Sequence, residues 1–143
     1  RTLAEKRRNE TYDFEYDEET KEIAFYDIPV SAGVGTFLDF DSTDTISLKL
    51  NEITARADYA LRVSGDSMEP KFSDGDIVIV ERRDEIPEGK IGIFILNGEG
   101  YIKKFGQDRL ISLNQKYSDL LLKPADTFSC RGLVLGKLKK ARI

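Results

Sequence analysis

The sequence predicts a mostly β protein: hairpin-connected strands curled into a small, partly open barrel-like assembly with little helix. Three observations carry that expectation. Apolar or alternating segments of strand length recur along the chain, among them Ile46-Ser47-Leu48-Lys49-Leu50, Ile77-Val78-Ile79-Val80 and Ile91-Gly92-Ile93-Phe94-Ile95-Leu96, and their period-two or β-branched character suits strands. Turn formers stand between them, Ser73-Asp74-Gly75-Asp76 and Asn97-Gly98, the second a strong hairpin signal. A chain of 143 residues is also long enough to bury one core and too short for two large domains.

From Arg1 to Lys21 the residues are mostly charged, with Glu5-Lys6-Arg7-Arg8 followed by acids through Glu19. With little apolar surface to bury, this reads as a solvated linker or arm, so residues 1–21 are set apart from a domain at 22–143. Next, Glu22-Ile23-Ala24-Phe25-Tyr26-Asp27-Ile28-Pro29 reads as extended, since Pro29 pushes Ile28 away from helical geometry. Gly33 and Gly35 then let the chain turn. On its residues alone this segment is an edge strand ending in a glycine turn. Asp44 to Leu50 alternates as a half-buried strand, Asn51 to Asp58 is a loop or one helical turn, and Tyr59 to Val63 is a short apolar strand.

Ile77 to Val80 is a β-branched run of the kind buried on both faces, and Arg82 to Lys90 is a polar loop whose arginine pair has acids beside it. Ile91 to Leu96 turns at Asn97-Gly98 into a return strand, Tyr101-Ile102-Lys103-Lys104-Phe105. Alternation places Tyr101, Lys103 and Phe105 on one face and Ile102 and Lys104 on the other. Leu110 to Leu113 alternates again, a loop follows through Asn114-Gln115-Lys116-Tyr117, and Phe128 to Leu138 forms a long apolar terminal strand.

Composition excludes several chemistries. The net charge is −4 with 34% charged residues, so no dominant basic surface is on hand to hold a phosphate backbone. There is no apolar run long enough to span a bilayer and no signal peptide, which predicts a soluble, cytoplasmic protein. The single cysteine, Cys130, cannot form an internal disulfide and reads as a strand residue packed in the core. Without histidine, the Ser-His-Asp triad and the Cys-His pair are ruled out within this chain, and a serine nucleophile would need another base, for which lysine is the known variant. No metal-ligand cluster or phosphate-binding glycine loop is present, so neither cofactor nor metal is expected.

A serine at the end of a strand, among small and turn-forming residues, is where a nucleophile can be presented. Ser64-Gly65-Asp66-Ser67-Met68-Glu69-Pro70 follows the Tyr59 to Val63 strand in this way, and Ser67 is the candidate. Taken alone, the same string is also what a tight turn prefers. On the return strand Lys103 shares its face with two aromatic rings. Apolar surroundings favour the neutral amine that a general base must be.

Ser64 to Val80, read with Ile102-Lys103-Lys104-Phe105, resembles the C-terminal domain of LexA and phage CI-type repressors, the self-cleaving Ser-Lys peptidases to which UmuD-type proteins also belong. The resemblance runs from about Ile28 to Lys140. It implies a LexA- and signal-peptidase-like fold, with Ser67 as nucleophile, Lys103 as base, and the backbone N–H groups of Asp66 and Ser67 as oxyanion hole. It also implies that Val30-Ser31-Ala32-Gly33, in a cleavage loop at about 28–36, is the enzyme's own substrate, cut between Ala32 and Gly33. Further implications are a homodimer formed through this domain, aided by strand pairing at the C-terminal end, and a RecA filament or another activator as trigger. Since the chain starts at Arg1, DNA binding would belong to a helix-turn-helix domain preceding the arm. Two alternatives share these features: a non-cleaving dimerisation or sensing module of a transcription regulator, and a UmuD-like accessory of a translesion polymerase.

Overall fold

A computed structural model describes residues 19–27 and 44–139. The expected arm as far as residue 18 and the expected cleavage loop at 28–36, with Ala32 and Gly33, lie outside the described residues. Within them the chain forms nine strands: β1 (Thr20–Tyr26), β2 (Asp44–Lys49), β3 (Tyr59–Arg62), β4 (Ile77–Glu81), β5 (Ile91–Leu96), β6 (Glu99–Phe105), β7 (Arg109–Ile111), β8 (Leu120–Leu121) and β9 (Phe128–Lys137). One 3₁₀ turn, Thr54–Arg56, interrupts the loop before β3. The mostly β expectation holds. No described helix is long and apolar enough to cross a membrane.

All nine strands belong to one open sheet in the order β2-β1-β3-β4-β9-β5-β6-β7-β8. Every pairing is antiparallel except β1 with β3, where Ala24, Phe25 and Tyr26 run beside Tyr59, Ala60 and Leu61. β1 begins at Thr20, two residues inside the stretch read as arm. The ladder explains why, since Thr20 and Lys21 pair with Lys49 and Leu48, and Lys21 Nζ donates to the Ala55 carbonyl at 2.8 Å.

Alternation sorts the side chains onto two faces. On one face of the central strands Tyr59, Leu61, Val78, Val80, Ile93 and Ile102 form a single buried cluster, joined by Met68 and Phe72 from the loop after β3. Ala60 and Ile79, pointing the other way, pack with Ile23, Leu48 and Ala57. Phe94 and Leu96 from β5 pack with Ile86 and Leu110. The β4 run is therefore buried on both faces, as its β-branched composition predicts. Burying a side chain of this size stabilises the fold by about 1.5–3 kcal/mol, so these central strands form the stiff part of the molecule.

β9 is an interior strand, with its first half paired to β5 and its second to β4. Two register shifts make this possible: the ladder to β5 skips Arg131 and the ladder to β4 skips Leu135. Such bulges bend and twist a strand, and they free ladder groups that need other partners. The Arg131 carbonyl finds one in the Tyr59 hydroxyl, which donates to it at 2.8 Å from within the core. Gly132 allows that approach: a Cβ there would lie 2.4 Å from Val80 Cγ1 and 2.7 Å from the Glu81 carbonyl. Cys130, half-buried, packs against the Ile86–Phe94 cluster, and burial pushes its thiol pKa up.

Candidate active site

The strand β3 runs out into the loop that carries Ser67, and local hydrogen bonds fix this exit. The Val63 N–H donates to the Asp76 carbonyl at 2.7 Å and the Gly75 N–H to the Val63 carbonyl at 2.8 Å. The Gly65 N–H donates to Asp74 Oδ1 at 2.8 Å, and Gly65 itself has φ +87°, a conformation that favours glycine. Ser67 then opens a tight turn in which the Glu69 N–H reaches the Asp66 carbonyl and the Phe72 N–H reaches the Met68 carbonyl. Val63 before Ser67, and Met68 and Phe72 after it, are almost wholly buried. The nucleophile candidate is thus bracketed by core anchors while its own side chain stays half exposed.

Lys103 comes from the middle of β6. The β5–β6 hairpin is closed by Asn97 and Gly98, at φ 52° and 84°, the paired left-handed geometry that an Asn-Gly turn supplies. Its register sets Lys103 opposite Gly92, and Tyr101 opposite Phe94. Lys103 Nζ lies 2.7 Å from Ser67 Oγ and 6.0 Å from the Tyr101 ring centre. The residue is only 7% exposed, and desolvation lowers its pKa below the ordinary lysine value. Among the described residues no carboxylate forms an ion pair with it, so nothing opposes that shift. Lys104, its neighbour, stands opposite Ile91 and Ile111 in the two adjoining ladders. The structure therefore brings Ser67 to Lys103, on the face that the alternation assigned.

The two residues open into a cleft of about 290 Å³ lined also by Ser64, Gly65, Asp66, Tyr101, Ser112 and Tyr117. Asp66 turns its carboxylate to other partners than the Ser67–Lys103 pair: Lys116 Nζ lies 2.9 Å from one oxygen and the Tyr117 hydroxyl donates to the other. These contacts, the tyrosine's first, hold the Asp66 pKa below its usual value and raise those of Tyr117 and Lys116. Asn114 reaches the same turn through its backbone and its amide. Sequence reasoning read residues 114–117 only as a loop. The pattern Asn-x-Lys-Tyr after a strand gives ordinary turn chemistry, and nothing in it singles out a partner about fifty positions earlier. Among the described residues no group of three His, Cys, Asp or Glu side chains could hold a metal ion.

Residues 24–135 match the family described as peptidase S24-like. The chain is 34% identical to LexA repressor 2 of Pseudomonas syringae pv. tomato over 116 residues, covering 78% of this chain and 57% of that protein. It is 32% identical to the LexA repressor of Stenotrophomonas maltophilia over 118 residues, covering 79% and 56%, and 41% identical to that of Leptospira interrogans over 85 residues, covering 56% and 38%. The chain thus spans about half the length of these curated relatives, or less.

Proposed function

The chain belongs to the peptidase S24-like family, and from that premise we propose that it is the self-cleaving and dimerising C-terminal part of a LexA-like transcriptional repressor. The observation that carries the proposal is the 2.7 Å contact between Ser67 Oγ and the nitrogen of a buried lysine with no counter-charge among the described residues. A neutral amine at that distance can accept the serine proton.

In the proposed reaction Ser67 Oγ attacks the Ala32 carbonyl carbon as its proton passes to Lys103 Nζ. The tetrahedral oxyanion rests on the backbone N–H groups of Asp66 and Ser67. Collapse breaks the bond between Ala32 carbon and Gly33 nitrogen, and Lys103 hands its proton to the leaving amine. A water then attacks the acyl ester, giving a proton to Lys103. The ester C–O bond breaks, the proton returns to Ser67 Oγ, and the freed Ala32 carboxylic acid gives up its own proton to solvent.

The cut would part a preceding DNA-binding domain from its dimerisation domain. A dimer bound at two half-sites loses affinity once its halves separate. Such a repressor acts in the cytoplasm, and a RecA filament or another activator would favour the cleavable state.

Intact mass after incubation across a pH series tests the reading. Two fragments meeting between Ala32 and Gly33, formed at a rate independent of protein concentration, are expected from the parent and not from Ser67→Ala. A parent uncut at every pH, with and without RecA filament, would sink self-cleavage and leave a non-cleaving dimerisation module. Sedimentation at micromolar concentration checks the dimer, and a monomer there counts against it.

A further inference from the structure

Asn114 occupies a place that the expected dyad does not explain. Its backbone N–H donates to the Ser67 carbonyl at 3.0 Å, and its side-chain Nδ2 donates to the Asp66 carbonyl, also at 3.0 Å. Two successive carbonyls of the nucleophile turn therefore face one residue. The Asp66 carbonyl takes a second donor, the Glu69 N–H at 3.2 Å. Asn114 is itself held by the turn that it starts: its Oδ1 accepts from the Lys116 N–H at 3.2 Å and its carbonyl from the Tyr117 N–H at 3.1 Å. The same turn then delivers Lys116 and Tyr117 to the Asp66 carboxylate.

A peptide unit is planar and trans, so its C=O and N–H point in opposite directions. Fixing the Asp66 carbonyl toward Asn114 fixes the Ser67 N–H away from it, because both belong to one peptide plane. Among the described residues no acceptor takes that N–H. Asp66 and Ser67 line the cleft together with Tyr117, so the turn that holds this plane also forms part of the cleft wall.

We propose that Asn114, with Tyr117 as its support, is the positioning residue of the oxyanion site: its side-chain amide sets the Asp66–Ser67 peptide plane so that the Ser67 N–H meets charge developing in the cleft. The inference rests on the reading of Ser67 as nucleophile. Removing one oxyanion donor costs serine hydrolases about 10²–10³-fold in rate. Loosening a donor without deleting it lies below that, at about ten- to hundredfold.

The test labels Ser67 with a small alkyl fluorophosphonate and follows intact mass over time. The Ser67 Oγ–P bond forms, the P–F bond breaks, the serine proton passes to Lys103 and fluoride leaves, so the charged phosphoryl oxygen needs the same N–H without any need for the cleavage segment to dock. Asn114→Ala, shown folded by its melting curve, should label ten- to hundredfold more slowly than the parent, with the pH inflection of labelling unchanged. Tyr117→Phe, an exposed change, should give a smaller loss of at least twofold, and it decides the matter if Asn114→Ala does not fold.

Labelling of the deciding variant at the parent's rate overturns the inference. So does a loss produced only by a moved pH inflection, which would place Asn114's influence on Lys103 instead. A parent that labels but does not cleave itself removes self-cleavage and leaves this inference to the labelling ratio. A parent whose Ser67 does not label overturns both.

Discussion

Under the proposed mechanism, raising the pH should switch self-cleavage on through one group. Lys103 is 7% exposed and its pKa is lowered by desolvation alone, so a single ionisation governs the base. The rate should rise tenfold per pH unit, the slope of one proton, and level off at an inflection below the ordinary lysine value of about 10.4. Lys103→Ala should lose about 10²–10⁴-fold, the usual contribution of a positioned base, and with it the pH dependence. Lys104→Ala, altering a half-buried residue flanked by Ile91 and Ile111, should keep the parent profile.

The same burial has a stability consequence of fixed sign. Between the lowered native pKa and the ordinary unfolded one, the unfolded chain binds a proton that the native chain does not, so stability rises with pH through that window. Below it the native chain carries a buried ammonium and the penalty is complete. In a Ser67→Ala background, Lys103→Met should therefore raise the melting temperature at neutral pH, and the gain should shrink toward pH 10.4. Cleavage rates come from intact mass and stabilities from thermal melts. An inflection at or above the ordinary lysine value, or loss of activity in Lys104→Ala with Lys103 intact, would refute the reasoning.

Three further outcomes test the scaffold. Gly132→Ala should destabilise by about 1–3 kcal/mol in urea unfolding, because its Cβ would meet Val80 Cγ1 and the Glu81 carbonyl well inside contact distance; unchanged stability would mean that β9 does not pass so close to β4. Tyr59→Phe leaves the Arg131 carbonyl of the bulge without its buried donor and should cost about 1–3 kcal/mol by the same assay. Met68→Ala empties a wholly buried site next to Ser67 and should cost about 2–5 kcal/mol. Well below its melting temperature it should also slow self-cleavage, which a purely remote cavity would not do.

How far the sequence could be read depended on the range of the interaction. The β5–β6 hairpin was legible because Asn97-Gly98 fixes its turn locally, and period two then assigns the face of Lys103 without reference to the rest of the chain. The position of β9 was not legible: an apolar terminal strand suits an edge as well as an interior. Its two bulges depend on groups far away, the Tyr59 hydroxyl for Arg131 and the β4 backbone beside Gly132. The same limit explains the site. Ser67 and Lys103 stand in recognisable local settings, whereas Asn114 and Tyr117 acquire their roles only when the chain after β7 is laid against the turn after β3.

The parallel pairing of β1 with β3 is the topological feature that bears most directly on control. It sets the end of β1 beside the end of β3, and Arg62 closes the pair by donating to Asp27 Oδ1 at 2.5 Å and to the Gly75 carbonyl at 3.1 Å. From Arg62 the chain goes on to Ser67, and from Asp27 to Ala32, five residues in each case. Five residues reach at most about 18 Å. The far end of the 28–43 connection is tied to the same sheet, since Asp44 pairs with Phe25. Under the proposed reaction, substrate and nucleophile thus start from adjacent strand ends and never need to meet by diffusion, so their effective concentration is high. Under the same reading the pair is assembled before any signal arrives, with Lys103 Nζ already 2.7 Å from Ser67 Oγ. Restraint then has to act on the docking of the tethered segment into the cleft, and an activator that stabilises the docked state would raise the rate without touching the dyad.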